Sequence, residues 1–251
     1  LLFFSLVCSA SNLNQARHGM TLTIELNQVT LMRDDQTVLS DLNLTLSERR
    51  IGLIGNNGSG KSSLVRLFNG LLQPSQGRLQ VRGHNPVDGP EVMANQAGFI
   101  FQNPDHQLIF PTVIEELMFG LRNQGLSKLD ARERAEHCLR EHHRLDWAER
   151  PVHSLSEGQK QWVCIMAVLV MNPAVLILDE PFSALDLPTR QFLTDWLLGL
   201  PQQLIMISHD LDVLAAFDRV LWLEQGQVRG DGNPETVIAD YRAACNEVFS
   251  L

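Results

Sequence analysis

Aromatic residues are scarce in this sequence: they fill 6% of its 251 positions and include a single tyrosine, Tyr241. The four cysteines, Cys8, Cys138, Cys164 and Cys245, form no CxxC pair, so neither a zinc knot nor a disulfide framework is expected. A reducing compartment suits them. Cationic charge is also in short supply, with 20 Lys and Arg against 29 Asp and Glu and a formal net charge of -9. That balance argues against a protein whose main work is gripping nucleic-acid phosphates, which takes clustered cations. No internal repeat, low-complexity tract or Pro-rich linker divides the chain. A membrane-spanning helix needs about 20 apolar residues. The uncharged stretch Val163–Leu178 is broken by Asn172-Pro173 and reads instead as a buried helix, a turn and a buried strand.

What is present is 44% hydrophobic, an ample core for one or two globular domains. Leu1–Ala10 resembles the apolar part of a signal peptide but has no initiator Met and no basic leader. Residues 1–19 are expected to be an over-extended start or a disordered leader, a real targeting segment being the alternative, with the folded unit at 20–251. From Thr23 to Val29, Thr37 to Leu46 and Arg50 to Ile54, polar and apolar residues alternate as in strands. Leu64, Leu67, Phe68, Leu71 and Leu72 then follow helical spacing, and that helix is expected to stop near Gln73-Pro74. Strand signal returns at Arg78–Val81 and Gly98–Phe101, and charge-rich Lys128–Leu145 has helical spacing within a mainly helical insert expected at roughly 103–170. Apolar runs at Val175–Leu178, Leu204–Ile207 and Val220–Leu223 alternate with helical segments. The pattern predicts an α/β fold with a parallel sheet covered on both faces.

Ile51-Gly52-Leu53-Ile54 runs into Gly55-Asn56-Asn57-Gly58-Ser59-Gly60-Lys61-Ser62-Ser63 and then the amphipathic helix. This is the strand, glycine loop and helix of a P-loop. Its glycines let backbone N–H groups curl around phosphate oxygens, and the helix start adds partial positive charge. Lys61 supplies a point charge to the outer phosphates of ATP, and the Ser62 hydroxyl can ligate Mg2+. Leu176-Ile177-Leu178-Asp179-Glu180 ends an apolar strand in two acids. Asp179 is expected to hold Mg2+ through water, and Glu180 to polarise the attacking water.

Further along, Leu155-Ser156-Glu157-Gly158-Gln159-Lys160-Gln161 begins its Ser 23 residues before Asp179. With the P-loop, this segment makes the chain resemble the ATP-binding-cassette (ABC) ATPases from Thr21 to Gly232. The resemblance implies a P-loop NTPase cassette with a RecA-like parallel-sheet core, an antiparallel β subdomain and a helical signature subdomain. It implies that Ser156, Gly158 and Gln159 meet the γ-phosphate of ATP held by a second cassette, identical or different. Glu157 stands where glycine is more usual. The resemblance makes Gln102 the sensor of γ-phosphate and metal, Ser183-Ala184-Leu185-Asp186 the loop that communicates across the dimer, and His209, 30 residues beyond Asp179, the switch histidine. The family's adenine-stacking aromatic aligns with Arg33, whose guanidinium plane can also stack on a base. Trp162 replaces an arginine of the signature helix.

A finer likeness lies in Phe101-Gln102-Asn103-Pro104-Asp105-His106-Gln107-Leu108, with Pro111-Thr112-Val113 and Glu115-Glu116-Leu117-Met118-Phe119-Gly120. These residues resemble the ATPase subunits of energy-coupling-factor (ECF) importers. That implies uptake of a vitamin such as biotin, or of a transition-metal ion, powered from the cytoplasmic face of the membrane. It also implies a separate transmembrane subunit, a small solute-binding membrane subunit and no nucleic-acid partner. Leu108, Ile109 and Phe110 could line the groove for a coupling helix, the alternative being ordinary core packing. His137, His142 and His143 lack the i, i+4 spacing of a helical metal pair and read as a solvated helix. The rival functions are a soluble ABC ATPase outside transport and the ATPase of another ABC transporter.

Overall fold

The computed structural model describes residues 23–183 and 185–248. The expected leader at 1–19, the expected start at Met20, and Ala184 of the cross-dimer loop lie outside the described residues. Strands β1 (Ile24–Arg33) and β2 (Gln36–Leu46) form a hairpin around Asp34-Asp35, both at positive φ, 47° and 62°. Aspartate tolerates that conformation, and such a turn matches the twist of the strands. β3 (Arg50–Ile54) enters the glycine loop, α1 (Lys61–Phe68) leaves it, and β4 (Gln76–Val81) returns to close the antiparallel sheet β2-β1-β4.

Next come α2 (Pro90–Ala94), β5 (Ala97–Ile100) and three helices, α3 (Val113–Asn123), α4 (Lys128–Glu141) and α5 (Glu157–Leu169). The chain then alternates through β6 (Val175–Asp179), α6 (Leu187–Leu198), β7 (Gln203–Ile207), α7 (Leu211–Leu214), β8 (Arg219–Glu224), β9 (Gln227–Gly232) and α8 (Pro234–Val248). The second sheet has the order β5-β6-β7-β3-β8-β9. All its pairings are parallel except β8 with β9.

The sheet is covered on both faces, as its unbroken apolar strands require. Along β6, Val175 and Ile177 join the core shared with α1 and the antiparallel sheet, whereas Leu176 and Leu178 join the core under α5, α6 and α8. That two-residue alternation is the pleat expressed in packing. A third core fills the space among α3, α4 and α5, with Leu117, Leu121, Leu139, Val163 and Met166. Trp162 and Trp196 pack against the second and third cores alike.

Two helix ends differ from expectation. α1 stops at Phe68, not near Gln73-Pro74, because Gly70 turns left-handed at φ 78° and gives its N–H to the Leu67 carbonyl. Leu71 is consequently 53% exposed. α4 stops at Glu141, short of Leu145, where His143 takes φ 54° and a 3-10 turn over Leu145–Trp147 follows. No described helix is long and apolar enough to cross a membrane.

Candidate active site

The phosphate loop is held from two sides. Gly55, at φ 141°, lies so close to the Leu223 carbonyl that a Cβ there would collide with it. This is the close backbone approach that glycine alone permits. The Ser59 carbonyl accepts from the Gly226 N–H at 3.1 Å, tying the β8–β9 turn to the middle of the loop. Lys61 is buried, and its Nζ donates to the carbonyls of Gly55 at 2.8 Å and Asn56 at 3.0 Å. An ammonium has three donors, so one remains for a phosphate oxygen. Burial lowers the Lys61 pKa, and the charges of Glu180 and Asp179 oppose that shift.

β6 delivers Asp179 to the first turn of α1. The Ser62 hydroxyl donates to Asp179 Oδ1 at 3.1 Å, while Arg66 Nη2, one helical turn beyond Ser62, stands 4.0 Å from Oδ2. Burial raises the Asp179 pKa, with the Ser62 hydrogen bond and Arg66 pulling the other way and Glu180 adding to the rise. A buried carboxylate beside a hydroxyl, its charge only partly offset by Arg66 and Lys61, offers the hard oxygen ligands that Mg2+ takes. The expected metal ligands Ser62 and Asp179 therefore fit the ion.

Glu180, the next residue, sits at φ 49° and gives its N–H to the Ile207 carbonyl on β7. Its carboxylate gathers the other two expected catalytic side chains. Gln102 Nε2 donates to Oε2 at 3.3 Å, and His209 Nε2 lies 3.0 Å from Oε1. Three residues from the ends of β5, β6 and β7 thus meet at one carboxylate, beside the loop that would hold phosphates. Gln102 faces Glu180 through its NH2, leaving its carbonyl oxygen as the donor atom for a metal.

The signature residues lie apart from this cluster. Ser156 caps α5: its Oγ accepts from Gln159 N–H at 3.4 Å, and Gln159 Oε1 accepts from Ser156 N–H at 3.1 Å. This reciprocal cap leaves the Ser156 hydroxyl proton and the first N–H groups of the helix free to point at an anion. Gly158 rests against Thr189 of α6. Among the described residues, no hydrogen bond or ion pair joins Ser156, Gly158 or Gln159 to the phosphate loop. The acid at Glu157 is matched by Lys160, whose Nζ lies 3.0 Å from Glu157 Oε1 and 2.8 Å from Asp105 Oδ1. Arg33 ends β1, exposed, opposite Gln36 and outside the phosphate-loop contacts.

Each named residue of the Asn103-Pro104-Asp105-x-Gln107 run has a local task. Asn103 caps a 3-10 turn by accepting from Asp105 N–H at 2.9 Å, and Pro104 is buried. Asp105 holds Lys160. Gln107 accepts from Phe101 N–H at 3.3 Å and donates to the Cys164 carbonyl at 3.1 Å. Buried Glu116 then takes the N–H groups of Ile109 and Phe110, both at 2.9 Å on Oε2. These bonds present Ile109, 66% exposed, at the lip of a groove of about 950 Å³ between β5, α3 and α5 that Phe119 also lines, while the Phe110 ring lies tilted against Phe119 at 5.0 Å. Ile109 is thus not a core residue, and Leu108 and Phe110 are only partly covered.

Sequence reasoning passed over Arg66, Lys160 and the setting of Trp162. Arg66 carried a readable signal, since i and i+4 on a helix share a face. Trp162 lies 4.5 Å from the Arg144 guanidinium and within 5.2 to 6.1 Å of Phe192, Trp147 and Trp196. The tryptophan takes an arginine above its face rather than supplying one. His142 also departs from the solvated reading. It is half-buried with its ring 5.0 Å from Trp196, and burial lowers its pKa.

Residues 39–183 match the family described as ABC transporter. The chain is 47% identical to the biotin transport ATP-binding protein BioM of Rhodobacter capsulatus over 88% of its own length and 94% of that protein. It is 38% identical to the energy-coupling factor transporter ATP-binding protein EcfA1 of Streptococcus pneumoniae over 75% of its length and 70% of that protein. Among solved structures, cbiO1 from Clostridium perfringens, part of the ABC transporter complex cbiONQ, superposes with a TM-score of 0.76 at 31% identity, over 88% of this chain and 92% of that one. A bacterial ABC transporter cassette solved as a dimer superposes with a TM-score of 0.73 at 25% identity, over 84% of this chain and 98% of that one. With its phosphate loop, paired acids and capped signature helix set in this fold, the chain belongs to the ABC transporter family, as one of the subunits that bind and hydrolyse ATP.

Proposed function

We propose that this chain is the motor subunit of an ECF-type importer that takes up a vitamin, biotin in the first instance, and that it works as one of two cassettes sandwiching two ATP molecules. The observation that carries the catalytic part is the meeting of Gln102, Glu180 and His209 at one carboxylate next to Lys61 and Ser62. Glu180 accepts a proton from the attacking water, Gln102 and His209 fix the direction of that carboxylate, and the third Lys61 N–H holds the outer phosphates. When held by Ser62 and Asp179, Mg2+ supplies charge neutralisation at the β- and γ-phosphates. Ser156 and the free amides of α5 serve the nucleotide of the opposite cassette, and Arg33 is the adenine-stacking candidate. The relatives named for biotin transport, at 47% and 41% identity, support biotin as the solute.

The groove lipped by Ile109 and Phe119 supports a separate transmembrane subunit, docked by an apolar helix. A further small membrane subunit would bind the solute. The chain would then sit peripherally on the cytoplasmic face of the inner membrane. The test is coexpression with the candidate membrane subunits and uptake of labelled biotin by the assembled complex. Uptake is expected with the wild-type chain and lost with Lys61→Ala. Biotin uptake that persists with Lys61→Ala, or a complex that moves a transition-metal ion and no biotin, would defeat the assignment.

A further inference from the structure

We propose that Tyr241, the chain's only tyrosine, is a positioning residue of the phosphate site, its hydroxyl holding the leading turn of the loop through Asn56 and making α8 part of the ATP-binding apparatus. The inference rests on the ATP-binding reading above. Tyr241 Oη donates to Asn56 Oδ1 at 3.3 Å, across a separation of 185 residues. Asn56 is the residue on which the loop's internal bonds converge. Its carbonyl accepts both Lys61 Nζ at 3.0 Å and the Ser59 N–H at 3.1 Å. A shift of Asn56 therefore moves the lysine and the second half of the loop together.

The tyrosine is itself held in place. Val237 and Ile238, one turn earlier on α8, are buried in the core beneath the sheet. The Tyr241 ring stands edge-on to Trp222 with centroids 5.4 Å apart, and Trp222 on β8 is in register with Ile54 on β3. Three successive residues of the loop's entrance are thus met from the C-terminal part of the chain: Ile54 by Trp222, Gly55 by the Leu223 carbonyl, and Asn56 by Tyr241. Burial pushes the Tyr241 pKa up to about 12, so the hydroxyl keeps the proton that it donates to Asn56. A solvated tyrosine on a surface helix would need none of this support.

The experiment uses the full chain. Tyr241→Phe keeps the ring on Trp222 and removes only the hydroxyl. It should raise the KM for MgATP about two- to tenfold, the effect of one neutral hydrogen bond, with kcat changed less than about twofold. In an Asn56→Ala background the same substitution should add nothing, since the two groups act as one unit. Because the sequence has one tyrosine, a 13Cζ tyrosine label gives one resonance, which should shift when MgADP is added to the wild-type chain. An unchanged KM, a kcat loss at constant KM, full additivity with Asn56→Ala, or a resonance indifferent to saturating MgADP overturns the proposal. Wild-type chain that binds no MgADP overturns the ATP-binding reading along with it, whereas binding that is normal and insensitive to Tyr241→Phe overturns this inference alone.

Discussion

Replacing Glu180 with glutamine removes one charge and one acceptor while keeping the shape of the side chain. The carboxylate takes Gln102 Nε2 on one oxygen at 3.3 Å and lies 3.0 Å from His209 Nε2 through the other. A glutamine there keeps both contacts in place, its carbonyl oxygen accepting from Gln102 and its NH2 facing His209 Nε2. The three side chains stay together, and the proposed base is gone. Loss of a general base costs about 10²- to 10⁴-fold in rate, or about 3 to 5 kcal/mol of barrier at about 1.36 kcal/mol per tenfold. Nucleotide affinity should move the other way. Burial pushes Asp179 up and Lys61 down, and the Glu180 charge is felt at both, so it also repels the phosphates they would hold. The Glu180→Gln chain should bind MgATP as well as or better than the wild type, while phosphate release falls in both single- and multiple-turnover assays. A turnover loss below tenfold, or an affinity loss above tenfold, would refute the assignment of Glu180 as the base.

Two further outcomes follow from the packing. Trp162→Ala removes a half-buried indole that joins two cores. Full burial would cost about 3 to 5 kcal/mol, so about 2 to 3 kcal/mol is expected by urea unfolding, and a loss under about 1 kcal/mol would contradict its bridging role. Burial holds Glu116 above the usual carboxylate range despite the N–H bonds from Phe110 and Ile109. The folded chain thus keeps a proton that the unfolded chain has released, and stability declines as pH rises from the ordinary carboxylate value through the raised one. Glu116→Gln should flatten that decline and leave stability at pH 7 equal or higher. A loss above about 1 kcal/mol at pH 7 would show that the ionised carboxylate itself is required.

The parts of the site that could be read in the sequence are those written in consecutive residues. Gly55 to Ser63 and Asp179-Glu180 announce themselves because a glycine loop between strand and helix, and acids closing an apolar strand, are local patterns. Gln102 and His209 could be placed only by resemblance, since a lone glutamine or histidine carries no pattern of its own. The buried strands β6 and β7 match their apolar runs to within a residue. β9 does not announce itself, because Gln227-Val228-Arg229-Gly230-Asp231-Gly232 mixes two glycines and two charges and takes its strand form from pairing with β8. The partnership of Asn56 with Tyr241 joins residues far apart in the chain, and no window of sequence contains both. Trp162 is similar: its neighbours come from α6 and the turn after α4, so only the folded chain explains why the position tolerates a tryptophan.

The bonds around the loop after Gln102 make a mechanical element. Gln107 grips the Cys164 carbonyl in the middle of α5, and Asp105 grips Lys160 near its start, so the loop is bolted to that helix at two points. Glu116 suspends the exposed tip, Ile109-Phe110, from α3. A displacement of Ile109 would therefore be shared between the loop that carries Gln102 and the helix that Ser156 caps. Loop and helix are two arms of one lever, with the expected γ-phosphate sensor Gln102 on one and the expected signature residue Ser156 on the other.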